Sequence, residues 1–422
     1  MPALLPLRRV LPCLGLALLL QSTPARPATD LGLPETTAAA AGFSGARLQR
    51  LAQMFEREIA AGHYAGVTWL VARDGKVFTH GAVGFRSVAA QTPMTEDTVC
   101  RIFSMTKIVT TVTFLTLLEE GRVNLADPVE LYLPELAHRQ VLVGGTAAAP
   151  QLEPATGPIT LRHLLTHTSG LTYDIFATGT LRELWVQADL WHSPDLPGLI
   201  HRIAALPLAH QPGAKWTYGV NTDVLGAVIE KVTGQDLETA MRSRVLGPLG
   251  MHDTTFRPGA EQLARLATIH HRTEDGKLEP EEKWSSQESP KFLSGGGGLV
   301  STLHDYARFA QMLLNGGQLD GVRILGPKTV EVMTHDQIGE LARGAWTPPG
   351  FGFGVSVRPA YVPEVKALGS AGEYGWDGLC DTFVSIDPQE HLVLLMFMQH
   401  SPWDDGGIFE RFSNTVYQAL EH

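Results

Sequence analysis

Two residues whose types and spacing suggest chemistry stand in Arg101-Ile-Phe-Ser104-Met-Thr-Lys107. Ser104 and Lys107 are three apart, so on a helix they share a face, with side chains close enough for an amine to take a hydroxyl proton. A serine hydroxyl is inert at neutral pH until a base removes its proton. A lysine acts as that base only when burial or another cation lowers its pKa. The residues from Ile108 to Leu118 place apolar side chains on all sides of a 3.6-residue period, the pattern of a helix buried inside a domain. Such a helix would desolvate Lys107, and its start favours developing negative charge on Ser104. The same spacing also describes a capping serine followed by a solvated lysine, so the rest of the chain has to decide.

A second constellation lies in Gln211-Pro-Gly-Ala-Lys-Trp-Thr-Tyr218-Gly-Val-Asn221, just before the apolar run Val224 to Gly234. A tyrosine beside an ammonium has its pKa depressed, so Tyr218 with Lys107 would hold the Ser104 proton and hand it to a leaving group. Asn221 can donate to an acyl carbonyl and accept from Lys107. Taken alone, this segment also reads as an aromatic packing residue beside a helix start.

The elements that must position these residues follow from periodicity and turn chemistry. Ser44 to Ile59 has apolar residues at helical spacing after a serine cap. Val67 to Ala72 and Lys76 to His80 are strand-like runs around Asp74-Gly75, the dipeptide of a tight hairpin. Glu119-Glu120-Gly121 closes the Ser104 helix with glycine. From about Ala137 the character changes. Between Gly144 and Gly157 lies a small-residue linker, and no clear strand follows until roughly Gly298. The helix-like segments there are Leu161 to His167, Leu181 to Asp189, Asp195 to Leu206, Asn221 to Thr233, Leu237 to Val245 and Glu261 to Ala267. The last third holds a helix from Thr302 to Leu314 and another from Val330 to His335. Strands follow at Gly352 to Val357, Thr382 to Ile386 and Leu392 to Met398, then a closing helix from Gly407 to Leu420. The expected fold is α/β of the α+β kind: an antiparallel sheet assembled from both chain ends, flanked by helices, with an inserted helical domain. In residues, 43–150 and 290–422 form the sheet domain, 151–289 the helical domain, and 29–42 a flexible lead-in.

Length and composition bound the rest. With 422 residues, 44% of them hydrophobic, the chain can bury a large core. A net charge of −11 with only 18% charged residues argues against a nucleic-acid partner. Residues 1–28 carry Arg8-Arg9, the apolar run Val10 to Leu20 and a small-residue and proline stretch ending at Ala28, the outline of a secretory signal peptide. The apolar run is short for a bilayer span, so the expectation is an exported protein, periplasmic or secreted, with no stable membrane insertion after signal removal. Beyond that segment only Cys100 and Cys380 remain. They stand near the two ends of the expected site, and both a pair and two buried free thiols are open, the second preferred.

Several blocks together resemble the serine hydrolases related to class C β-lactamases. They are Ser104-Met-Thr-Lys107, Ile159 to Leu171 with His167-Thr-Ser-Gly170, Pro212-Gly213 before Tyr218-Gly-Val-Asn221, Val245 to Met251, and Gly295 to Ser301. The resemblance covers the chain from about Phe43 to its end. It implies a β-lactamase/transpeptidase-like fold with the active site in the cleft between sheet and helical domain. Asn221 stands one residue further from Tyr218 than is usual in that family. The family's third motif, K-T-G or a histidine variant, supplies a cation for the substrate carboxylate, and no K-T-G occurs here. The corresponding strand looks like Tyr374-Gly375-Trp376-Asp377-Gly378-Leu379-Cys380, similar to the W-x-G of family VIII carboxylesterases, usually written W-G-G. By that analogy Gly378 lets the backbone approach the acyl group, and the NH groups of Leu379 and Ser104 form the oxyanion hole. Trp376 in place of a cation, with Asp377 beside it, disfavours an anionic substrate.

Other features are set aside. His163 and His167 have the i, i+4 spacing of a metal pair but lack the glutamate of H-E-x-x-H, and the resemblance makes them structural. Gly295 to Gly298 and Gly350 to Gly354 match neither phosphate-binding glycine pattern. G-x-S-x-G is absent, and Ser169 and Ser301 are loop residues of the family blocks. The expectation is therefore an exported serine hydrolase cleaving small neutral carboxylic esters through an acyl-enzyme on Ser104, without cofactor or metal. A β-lactamase or D-alanyl-D-alanine carboxypeptidase is the alternative enzyme, and an acylated binding or sensing module without turnover is the alternative of another class. The oligomeric state is not legible.

Overall fold

The computed structural model describes residues 31–284, 290, 292–341, 347–361, 366–403 and 406–422. The segment expected as an export signal lies outside them. The main sheet has seven strands: β1 (Gly66–Arg73), β2 (Lys76–Ser87), β3 (Thr92–Pro93), β4 (Ser356–Val357), β5 (Tyr374–Gly378), β6 (Thr382–Asp387) and β7 (Leu392–Met398). Their spatial order is β4-β5-β6-β7-β1-β2-β3, antiparallel throughout, so strands from both chain ends meet where β7 pairs with β1. The β1–β2 hairpin turns on Asp74 at φ 50° and Gly75 at φ 75°, the left-handed pair that a two-residue turn requires.

β7 is buried at every position because the sheet is covered on both faces. Leu392, Leu394, Met396 and Met398 pack with α1 (Gly45–Ala60) and with the C-terminal helix Ile408–Tyr417. Val393, Leu395 and Phe397 join the larger core, which holds α2 (Thr106–Glu119), α3 (Asn221–Thr233) and α4 (Leu303–Leu314). Every residue of α2 from Thr106 to Leu117 is buried, as its uninterrupted apolar pattern requires. Ser44 occupies the N-cap of α1, but its side chain makes no capping bond; its backbone NH instead donates to Ala419 O at 2.8 Å.

The structure adds detail to the expected division of the chain. The lead-in is ordered from Leu31: Leu31 and Leu33 are buried, and Thr36 NH donates to Val77 O at 2.8 Å, extending the pairing of β2. The run of alanines concealed two leucines with a core to join. The region read as a separate helical domain belongs to one compact unit spanning Leu31–His422. It also contains the strands His270–Arg272 and Leu278–Pro280, and the segment read as a linker before it forms a largely exposed hairpin, Gln140–Thr146 with Ala149–Pro154. His270–Arg272 pairs in parallel with His400–Ser401 near the chain end, a long-range pairing that periodicity does not report.

Both cysteines are free and buried. Burial pushes the Cys100 thiol up to about 12, so it behaves as a small apolar side chain. Among the described residues no helix is long and apolar enough to cross a membrane.

Candidate active site

Ser104 lies in a 3₁₀ turn, Phe103–Met105, that feeds directly into α2. Phe103, immediately before it, is held at φ 41°, a left-handed conformation that a bulky residue seldom adopts. The end of β5 presses against this turn. A Cβ on Gly378 would lie 2.2 Å from Thr382 Oγ1 and 2.5 Å from Ile102 O, so only glycine lets the strand approach the serine turn. Leu379 follows in the turn to β6 and is 41% exposed.

Lys107 is buried in the first turn of α2. Its Nζ donates to Gly296 O at 2.6 Å and to Ser104 Oγ at 3.1 Å, and lies 4.7 Å from the centre of the Tyr218 ring and 5.5 Å from that of Tyr173. Desolvation lowers its pKa to about 8, against the charges of Asp223 and Asp377, which raise it. A usable fraction of free amine is therefore present near neutrality, in hydrogen-bond contact with a serine hydroxyl.

Tyr218 completes the group. Its hydroxyl accepts from Trp376 Nε1 at 3.0 Å and shares a hydrogen bond with Ser104. The expectation of a depressed tyrosine pKa is wrong for this site. Burial raises it, Asp377 and Asp223 push in the same direction, and the bonds from Ser104 and Trp376 offset only part. Tyr218 rests as a phenol, and the amine of Lys107 is the better base.

The loop under Tyr218 is fixed by the His167-Thr-Ser-Gly170 block. Thr217 NH donates to His167 O at 2.8 Å, and a Cβ on Gly219 would lie 2.4 Å from Thr172 Cα. Asn221 joins this support. It is fully buried, its Nδ2 lies 2.9 Å from His167 Nδ1, and its Oδ1 accepts from Ser169 Oγ at 2.5 Å. Both ends of the amide are bonded to this block, and among the described residues Lys107 is not one of its hydrogen-bond partners. His167 is held neutral by burial and by the charge of Lys107, its ring 4.9 Å from that of Tyr218, while His163 Nδ1 accepts from Thr160 NH at the start of a short helix. Among the described residues no cluster could hold a metal ion.

Trp376 and Asp377 are neighbours on a strand and so face opposite sides of the sheet. Trp376 meets Tyr218 and Phe351. The Asp377 carboxylate accepts from Trp403 Nε1 at 2.8 Å on the other face. Its expected repulsion of an anionic substrate by direct approach is withdrawn, since the side chain is committed to Trp403.

Sequence reasoning passed over Asp223, a buried carboxylate in the first turn of α3, and the glycine run as its partner. Gly295 O accepts from Thr110 Oγ1 at 2.7 Å and Gly296 O from Lys107, so the run is a wedge between α2 and α3. A charged residue inside an apolar helical run was the available signal. Also unread was an aromatic rim beside Tyr218: Tyr173 and Phe176 stand edge-on to it at 5.5 and 5.6 Å, and Trp191 lies 5.9 Å from Tyr173.

The sequence pattern of the beta-lactamase family matches residues 51–412. Among curated proteins, a monacolin J acid methylbutanoyltransferase of Aspergillus terreus is 33% identical over 355 residues, 78% of this chain and 84% of that one. Esterase EstB of Burkholderia gladioli is 31% identical over 361 residues, again 78% of this chain and 84% of the relative. Among solved structures, EstCE1, described as a hydrolase with promiscuous acyltransferase activity, superposes with a TM-score of 0.74 at 25% identity, covering 89% of this chain and 99% of the other.

Proposed function

The chain belongs to the beta-lactamase family and is an enzyme of the serine hydrolase type; from that premise we propose that it cleaves small neutral carboxylic esters through an acyl-enzyme on Ser104. Ser104 Oγ attacks the ester carbonyl carbon while its proton passes to Lys107 Nζ, 3.1 Å away. The carbonyl oxygen takes up the negative charge against the backbone NH groups of Ser104 and Leu379. As the ester C–O bond breaks, the leaving alkoxide takes the phenol proton of Tyr218, and Lys107 returns a proton to Tyr218. Water then attacks the acyl-enzyme by the reverse proton path, giving the acid and free Ser104.

The observation that carries the choice of substrate is the Trp376 to Tyr218 hydrogen bond of 3.0 Å, made from the strand where a β-lactamase presents its cation. That position is taken by an indole bonded to a site residue, so among the described residues the strand offers a substrate carboxylate no cation there. The neighbouring surface is apolar, with Phe176 37% and Trp191 48% exposed. The esterase and acyltransferase names of the relatives support acyl transfer as the reaction type.

The test is a panel of p-nitrophenyl esters beside a chromogenic cephalosporin. Short neutral esters are expected to be preferred by at least about a hundredfold in kcat/KM, roughly 3 kcal/mol of transition-state discrimination. Equal turnover of the cephalosporin and p-nitrophenyl butyrate overturns the ester reading in favour of a β-lactamase. Acylation that stops after one equivalent overturns it in favour of a sensing module.

A further inference from the structure

Asp223 has no part in the steps above, yet its carboxylate is fully buried, an environment that retains a charge only when it is paired and hydrogen-bonded. Oδ1 accepts from Ser294 Oγ at 2.6 Å and from Gly296 NH at 3.1 Å, while among the described residues Oδ2 has no hydrogen-bond partner. Gly296 also turns its carbonyl to Lys107 Nζ at 2.6 Å. One residue therefore ties the acid to its amide and the amine to its carbonyl. A Cβ on Gly296 would stand 2.5 Å from Asp223 Oδ2 and 3.0 Å from Tyr173 Oη, so the space between the groups is closed to any side chain.

We propose that Asp223 is a positioning residue for Lys107: its carboxylate, fixed by Ser294 and Gly296, balances the ammonium that forms when Lys107 takes the Ser104 proton. The proposal rests on the acyl-transfer reading above. Proton transfer from Ser104 Oγ to Lys107 Nζ, as the Oγ–C bond forms, places a positive charge in the protein interior, where water cannot solvate it. Among the described residues, the titratable groups whose charge or ring reaches Lys107 are Asp223 from α3, Asp377 through space from β5, Tyr173 and Tyr218 from the flanking loops, and His167. Burial holds both tyrosines above their ordinary pKa and His167 well below its own, so near neutrality all three are uncharged. Of the two carboxylates, Asp223 acts on Lys107 more strongly, and Asp377 is bonded to Trp403 on the other face of its strand.

The sign of the expected effect separates positioning from mere structure. Asp223 raises the pKa of Lys107, so removing its charge lowers that pKa from about 8. The acidic limb of the pH profile then moves to lower pH, while the plateau falls because the ammonium is less well stabilised. Loss of packing alone lowers the rate and leaves the limb in place. The experiment measures kcat/KM for p-nitrophenyl acetate from about pH 5 to pH 10 in wild type, Asp223→Asn, Asp223→Glu and Ser294→Ala. Folding is checked by circular dichroism, and the nucleophile is identified by mass after fluorophosphonate treatment. Asp223→Asn is expected to lower the plateau at least about thirtyfold and to move the limb down by about one pH unit, with Asp223→Glu restoring the limb. Burial pushes the Asp223 carboxyl above its ordinary pKa, and the charge of Lys107 and the bonds from Ser294 and Gly296 offset part of that, so Ser294→Ala weakens the ionised form and shifts the limb the same way by less, with a loss of under about tenfold. A limb that stays fixed in Asp223→Asn, or in Ser294→Ala should the first variant not fold, overturns the proposal. If fluorophosphonate leaves Ser104 unlabelled in wild type, the acyl-enzyme reading itself fails, an outcome distinct from a labelled Ser104 with an unmoved limb.

Discussion

The two sides of the site around Ser104 are built on opposite terms. The wall made by α2, the start of α3 and the glycine run is closed: Lys107, Asn221 and Asp223 are buried, and their contacts are hydrogen bonds that cross long stretches of chain. A Cβ on Gly295 would meet Thr222 O at 2.7 Å, so this wall admits no larger side chain. The wall made by the end of β5 and the rim loop is open and apolar, with Trp376 partly exposed and Leu379, Phe176 and Trp191 facing solvent. The contrast teaches a division of labour. Proton chemistry needs fixed distances and a low dielectric, which burial supplies. Substrate choice needs accessible surface that a new ester can meet without disturbing those distances.

The strongest way to break this division is at the serine itself. Ser104→Ala is expected to reduce hydrolysis of every ester to the assay background while thermal stability stays within about 0.5 kcal/mol, because the hydroxyl contributes chemistry and little buried volume. Fluorophosphonate labelling of the variant on any other residue, or retained turnover, places the chemistry elsewhere.

Next come the two proton carriers of the closed wall. Lys107→Ala and Tyr218→Phe are each expected to cost about 10²- to 10⁴-fold in kcat. Because both serve one proton path from Ser104, the double variant loses far less than the product of the single losses. Clean multiplication of the two effects means that they act separately, and the shared path is then wrong.

Legibility in the sequence followed the distance between partners. Ser104 and Lys107 are one helical turn apart, so spacing alone placed them together, and the β1–β2 hairpin was readable from Asp74-Gly75 for the same local reason. The bonds from Gly296 to Lys107 and to Asp223 span 189 and 73 residues, and nothing in a local pattern announces them. Leu31 and Leu33 were hidden by the alanines after them, and the exposed hairpin from Gln140 to Pro154 by small residues and prolines that resemble a linker. The direction of the Tyr218 pKa was misjudged because a nearby ammonium was counted and burial was not. Asp377 was misread for a reason that needed no structure: consecutive residues of a strand point to opposite faces, so Trp376 at the cleft puts Asp377 behind it.

The smallest expected effect therefore belongs to Asp377, and it sharpens the comparison from the back of the open wall. Its carboxylate accepts from Trp403 Nε1 at 2.8 Å, and the Trp403 ring lies 6.0 Å from Phe409, which stacks on Phe383 of β6. The residue thus ties the chain end to the sheet, and its charge reaches Lys107 and Tyr218 only through space. Asn keeps an oxygen that can accept from the indole, so Asp377→Asn is expected to change ester kcat/KM by less than about threefold and to cost about 1 kcal/mol of stability. The ratio of ester to cephalosporin turnover should stay within about twofold of wild type, since no carboxylate is being removed from the substrate's path. Stopped assays with both substrates, beside a thermal melt, are enough to decide. A tenfold rise in cephalosporin turnover with ester turnover unchanged means that the charge is felt in the cleft after all, and the separation of the strand's two faces fails as an account of substrate choice.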